Sequence, residues 1–266
     1  HQVNASRYVL MALLSTVGTV VFPEAKDWLM QAWDLWITTG GTWGADGEYG
    51  NSTNYVWYTG IPLAQTAAMV RLITNTDLSR WPDISKYGDS IIAFTPPAIK
   101  IQSVFGDGIE YDSNYAWYSA DFYRLYAAIT MSPAHEWYWR AKPENVSVVT
   151  PLPAQHYLML GLNLPAVTPA PPLAKSWVFE DAGEVAMHSS TADPYRSSLF
   201  FRSSRFGSDG HSVADNNGFV FFSKGQPLFI EGGYYPYYMS PHHATVGRAT
   251  RFKNALTFDG GIGQAE

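Results

Sequence analysis

Leu164-Pro165-Ala166-Val167-Thr168-Pro169-Ala170-Pro171-Pro172 divides the chain. Proline fixes φ and supplies no backbone N–H, so neither a helix interior nor a central strand runs through such a stretch. The hydrophobic period differs on its two sides. Before it, Leu10, Leu13, Leu14 and Val17 stand at i, i+3, i+4 and i+7, the stripe of a helix. Pro23 opens a second helix with Glu24 and Asp27 in its first turn, the stripe Leu29, Ala32, Trp33, Trp36, and an end at Thr39-Gly40-Gly41. Helical periodicity returns from Tyr55 to about Ile73, from Pro82, along Tyr115, Tyr118, Phe122, Leu125 and Tyr126, and in short pieces at Pro133–Ala141 and Pro153–Leu160. After the proline stretch the period is two. Trp177–Phe179 and Val185–Met187 flank the turn Asp181-Ala182-Gly183, and Leu199–Phe201, Phe219–Phe222 and Leu228–Ile230 follow, with Lys224-Gly225-Gln226 as a hairpin turn. Ala255–Phe258 reads as a further strand running into Asp259-Gly260-Gly261. Helices followed by strands predict two modules. The first is an all-α module over 1–163, then comes a connector over 164–175, and an antiparallel all-β module occupies 176–266.

Composition narrows the function classes. Aromatic residues are 15% of the 266, and charged residues are also 15%, against a usual share of about 25%. A disordered chain has the opposite bias. Cys is absent, so no disulfide framework holds the fold. The net charge of −6, with no run of five basic residues, disfavours nucleic acid as the main partner. Val9–Phe22 is too short and too polar for a membrane span, and it lacks the basic leader and cleavage site of a signal peptide. The chain starts at His1 and stops just after a turn signal, so it reads as an internal piece of a longer protein. Nucleotide loops (GxGxxG, GxxxxGK[ST]), HExxH and GxSxG are all missing.

Three segments carry chemistry. Gly207-Ser-Asp-Gly-His211-Ser-Val-Ala-Asp215-Asn216-Asn217 is a polar loop running into an apolar strand, where His211 could serve as acid, base or carboxylate binder. A surface loop without a role is the plain alternative. Tyr234-Tyr235-Pro236-Tyr237-Tyr238-Met239-Ser240-Pro241-His242-His243 suits sugar rings, which stack on aromatics while hydroxyls find phenol and imidazole partners. It equally suits an aromatic patch packed on the neighbouring module. Trp43–Tyr58, with Asp46, Glu48, Tyr49, Asn51, Asn54, Tyr55, Trp57 and Tyr58, has the mixture found in carbohydrate clefts and on wet aromatic surfaces alike.

The β half resembles the heparinase II/III-like polysaccharide lyases, closest to the heparinase II branch. The likeness rests on Phe200-Phe-Arg202, Gly207 to Phe219, and Gly225-Gln-Pro-Leu-Phe-Ile-Glu231-Gly-Gly-Tyr-Tyr235. It continues through Arg248-Ala-Thr250-Arg-Phe-Lys253-Asn254 to Gly260 and Gln264, with Trp177 to Met187 as a first hairpin. The resemblance extends over nearly the whole chain. It implies an α+β multidomain protein, with the C-terminal part of an (α/α) toroid followed by the start of an antiparallel β-sandwich. It implies a carbon–oxygen lyase that cleaves uronic-acid-containing polysaccharide, glycosaminoglycan or alginate-like, by β-elimination. The implied partner is an anionic polysaccharide or oligosaccharide, without nucleic acid or membrane, and a homodimer is compatible. A periplasmic or secreted location goes with it.

The family's site combines a helix-borne Asn or His, a Tyr about 54 residues later and a His of the β-domain. The matching residues are His1, Tyr55, which follows 54 positions on, and His211. Tyr55 is the expected base and acid, His1 a second base or carboxylate donor, and His211 a neutraliser of the substrate carboxylate. Asn4 and Asn216 are further neutralisers, and Tyr111, Tyr238 and Arg248 are expected sugar contacts, with Arg248 also a possible partner for Asp215 or Glu231. The resemblance further implies a structural zinc held by two His and one Asp. The matching positions are Val213, Glu231 and Lys253, so no zinc and no other cofactor is expected, and Lys253 is expected to pair with Glu231 across adjacent strands. Two other classes compete. A glycoside hydrolase would need paired carboxylates, for which Asp46, Glu48, Asp107 and Glu110 are available. A non-catalytic carbohydrate-binding protein would need neither.

Overall fold

The computed structural model describes residues 24–39, 46–47, 56–99, 104–106, 126–141, 167–205, 213–232, 235 and 237–264. The helices are α1 (Ala25–Thr39), α2 (Val56–Thr74), α3 (Pro82–Ser85), α4 (Tyr87–Phe94) and α5 (Pro133–Ala141), with a helical stretch at 126–130. The strands are β1 (Ser176–Phe179), β2 (Glu184–His188), β3 (Ser198–Arg202), β4 (Gly218–Ser223) and β5 (Gln226–Phe229). A π-helical turn (His243–Gly247) and a 3₁₀ turn (Thr250–Phe252) follow.

The helical module is built on small residues. Leu63, Ala64, Ala67, Ala68 and Val70 of α2 are buried, and three alanines in that face let neighbouring helices approach closely. Ala32 of α1, Tyr126, Ile129 and Tyr138 complete this core, with Leu29 and Trp33 packed on it. α2 stops where Asn75 turns left-handed at φ 59°, its N–H bonded to the Arg71 carbonyl at 2.9 Å.

α4 has two jobs. Tyr87, Ile91 and Ile92 belong to the helical core, while Ala93 and Phe94 belong to a second core shared with the sheet. There Phe94 meets Phe179 and Phe200 at centroid distances of 5.6 and 5.7 Å. Alternation along the strands supplies the facing side: Phe179, Ala186, Phe200, Val220 and Phe222 point inward. All four strand pairs are antiparallel neighbours in the order β1-β2-β3-β4-β5. The hairpin β4–β5 turns on Lys224 and Gly225, both at positive φ, as a two-residue loop requires.

The described part of the connector, residues 167–175, is bonded to both modules. Ala170 N–H donates to the Pro133 carbonyl at the start of α5, at 3.0 Å, and Lys175 C=O accepts from His188 N–H at 2.8 Å. Ala98 N–H reaches the Pro194 carbonyl at 3.1 Å, and the buried Arg196 guanidinium reaches the Ile92 carbonyl at 3.3 Å.

One expected strand is corrected. Ala255–Phe258 forms no strand: Phe258 makes only an isolated bridge to Ile262, because Asp259, Gly260 and Gly261 all adopt positive φ and fold the chain straight back. The described β residues make one sheet, and its outer side, with Val178, Met187, Phe201 and Phe219, is exposed. The expected start of an antiparallel β-sandwich is represented among the described residues by this one sheet, and the expected partial (α/α) toroid is not shown by them. The expected helices at Leu10–Val17, over Tyr115–Leu125 and at Pro153–Leu160 lie outside the described residues. No described helix is long and apolar enough to cross a membrane.

Candidate active site at the module junction

His1, Asn4, Tyr55, Tyr111 and His211 lie outside the described residues, as do Glu48, Asp107 and Glu110. What the structure does describe are the residues on either side of the segment 206–212. On the incoming side, Ser204 is gripped by the Asn216 carboxamide. Oδ1 accepts the Ser204 N–H at 2.8 Å, and Nδ2 donates to the Ser204 carbonyl at 3.1 Å. On the outgoing side, Val213, Ala214 and Asp215 are buried. The Ala214 N–H donates to the Arg248 carbonyl at 3.2 Å, and Asp215 Oδ2 accepts the N–H of Gly106 at 2.8 Å. Asn216 also donates its N–H to Gln264 Oε1 at 3.2 Å. The described residues that flank 206–212 are thus tied to Asn216 on one side, and to Arg248 and Gly106 on the other.

Below these residues lies a network of five buried charges. The antiparallel register sets Glu184 opposite Arg202. Arg202 Nη1 stands 3.2 Å from Glu184 Oε1, and its Nε stands 3.2 Å from Asp215 Oδ1. Lys253 Nζ donates to Glu231 Oε2 at 2.8 Å, with side chains 1% and 0% exposed. Burial pushes the Glu231 carboxyl up to about 7 against the pull of Lys253. Burial does the same to Glu184, to about 7, against the pull of Arg202 and with Asp215 and Asp46 adding to the rise. Arg248 is not the partner of either carboxylate here: Asp215 has Arg202, and Glu231 has Lys253. Nor does the Lys253 pair span adjacent strands. Glu231 lies past the end of β5 and Lys253 directly follows the Thr250–Phe252 turn, two segments joined by the Gly232 N–H to Phe252 C=O bond of 2.7 Å.

The aromatic segment folds around His243. The ring is buried, with Tyr235 and Tyr238 at centroid distances of 4.2 and 4.8 Å, and Nδ1 accepts the Met239 N–H at 3.1 Å. Tyr238 is 48% exposed, and its ring packs on His243. His242 is exposed and His243 buried, as part of a helical turn rather than of a strand. Asp46 is engaged across the junction, its Oδ2 accepting the Asp181 N–H at 2.7 Å. Sequence reasoning did not single out Glu184, Arg202 or Asp215 as a network. The signal was the alternation that turns Phe200 inward, which turns Arg202 inward as well.

Residues 171–266 match the family model described as Heparinase II/III-like, C-terminal. No curated protein matches the chain. Among solved structures, a heparan sulfate lyase from Pedobacter heparinus is similar over 93% of this chain and 35% of its own, at 18% identity and a TM-score of 0.63. A protein described as heparinase III is similar over 92% of this chain and 35% of its own, at 14% identity and a TM-score of 0.65. Another heparinase III is similar over 96% and 39%, at 14% identity and a TM-score of 0.63. The chain therefore spans little more than a third of the length of these proteins, and at such identities the likeness is one of fold.

Proposed function

We propose that this chain, whose residues 171–266 form a heparinase II/III-like C-terminal domain, is part of a polysaccharide lyase acting on a uronic-acid polymer. The reaction is β-elimination. A base removes the C5 proton, the C4–O4 bond breaks, O4 takes up a proton, and a C4=C5 double bond remains. The C5 proton is acidic enough only when the neighbouring carboxylate is neutralised, which preorganised donors accomplish as charge develops. His211, Asn4 and Asn216 supply those donors. Tyr55 removes the proton and returns one to O4, as a phenol close to both atoms can do. His1 acts as second base or carboxylate donor, and Tyr111, Tyr238 and Arg248 contact the sugar. The net charge of −6 does not oppose an anionic substrate, since the local potential of a cleft and not the total charge governs binding there. Export to the periplasm or the medium fits a polymer substrate.

The observation that supports this reading best is the Asp215–Gly106 bond of 2.8 Å, which ties the outgoing end of the His211 segment to the helical module that carries Tyr55. The test is to offer the full-length protein a panel of heparan-, chondroitin- and alginate-type polymers and follow both ultraviolet absorbance and reducing ends. New absorbance from an unsaturated uronate is expected. Reducing ends without absorbance would mean hydrolysis, and binding without either would mean a non-catalytic carbohydrate receptor.

A further inference from the structure

The resemblance implies a structural zinc at positions 213, 231 and 253, and the residues present do not fit one. Val213 is buried and offers no lone pair. Lys253 in its charged form carries three donors and no acceptor. Only Glu231 could ligate, and among the described residues no three His, Cys, Asp or Glu side chains converge as a metal set. A zinc ion would sit about 2.0–2.2 Å from the Glu231 oxygen. Lys253 Nζ already lies 2.8 Å from that oxygen, with both side chains buried.

We infer that the Lys253 ammonium is a covalently attached replacement for the metal ion, so that this β-module is metal-independent. Charge balance supports it. Glu184, Asp215 and Glu231 are three buried carboxylates, and apart from Lys253 the buried cation bonded to them among the described residues is Arg202, which is already shared between Glu184 and Asp215. The other Glu231 oxygen has no donor among the described residues, so Lys253 is its counter-charge there. Connectivity supports it too. A metal at this site would tie the end of β5 to the segment after Thr250–Phe252, and the Lys253–Glu231 pair ties those two segments, beside the Gly232–Phe252 backbone bond. An ammonium on a side chain can be neither chelated nor exchanged.

The full-length protein tests this in three measurements. Elemental analysis of the wild type and Glu231→Gln is expected to give the same zinc content, and EDTA is expected to leave the wild-type melting temperature unchanged. Zinc that disappears with Glu231→Gln would overturn the inference. Lys253→Met is expected to lower the melting temperature by roughly 10 °C, because it strands a buried carboxylate. Adding Glu231→Gln to Lys253→Met is expected to recover at least half of that loss, and to restore folding if the single variant fails to fold. An unaffected Lys253→Met, or a double variant without recovery, would refute the charge-replacement account. Val213→His combined with Lys253→His is expected to bind one more zinc per chain than the wild type and to become EDTA-sensitive; no added zinc in that folded variant would show that the site has no metal-like geometry.

Discussion

Asp215 accepts a hydrogen bond from the Gly106 backbone at 2.8 Å while holding Arg202 at 3.2 Å, so a single carboxylate makes one tie across the module junction and pairs with a buried guanidinium. Its side chain is 1% exposed. Removing one member of a buried pair leaves the other charge uncompensated, at a cost of about 3–5 kcal/mol. Asp215→Ala is expected to lose on that order in chemical denaturation. Asp215→Asn keeps an acceptor for Gly106 and is expected to fall between it and the wild type.

His188 gives the β-module a dependence on acid. Its ring is buried between Trp177 and Phe200 at 5.5 and 5.8 Å, with Nδ1 2.8 Å from Ser198 Oγ. Burial, with Arg196 nearby, lowers its pKa from 6.5 to about 3. The folded state thus favours the neutral ring, so its stabilising share is complete above pH 6.5 and is lost as pH falls toward 3. At pH 5 the cost is about 2 kcal/mol, from about 1.4 kcal/mol per pH unit. Denaturation at pH 7 and pH 5 measures it, and His188→Phe should flatten the difference; an equal loss in that variant would assign the acid sensitivity elsewhere.

Gly183 closes the β1–β2 turn at φ +72°, where a Cβ would stand 2.3 Å from the Ser203 carbonyl oxygen. That oxygen is backbone and cannot swing aside. Gly183→Ala is expected to cost about 1–3 kcal/mol from strain. A melting curve of the variant that overlays the wild type would contradict the turn geometry.

For the proposed elimination, Tyr55→Phe removes the proton carrier and His211→Ala a neutralising donor. Each is expected to reduce turnover by about 10²–10⁴ while the melting temperature stays unchanged. Turnover equal to the wild type in either would remove that residue from the mechanism.

Much of the architecture was written in local patterns. α5 begins and ends at Pro133 and Ala141 as its sequence indicates, and the strand alternation located all five strands to within a residue or two. Ala255–Phe258 misled because an apolar run before Asp259-Gly260-Gly261 looks like half of a hairpin, whereas three consecutive positive-φ residues leave room for one bridge. The charge network was half legible. Alternation alone turns Glu184 and Arg202 inward, but their pairing depends on register, and Asp215 meets Gly106 from 109 positions away. No period encodes a contact of that range. The same holds for Arg248, whose expected partners were already taken by cations from other segments.

Tyr87–Phe94 forms a wall of both hydrophobic interiors at once. Neither half can lose its order without stripping that wall from the other, so heat should melt them in one cooperative step, and protease cutting at the proline stretch should yield two fragments unable to persist apart.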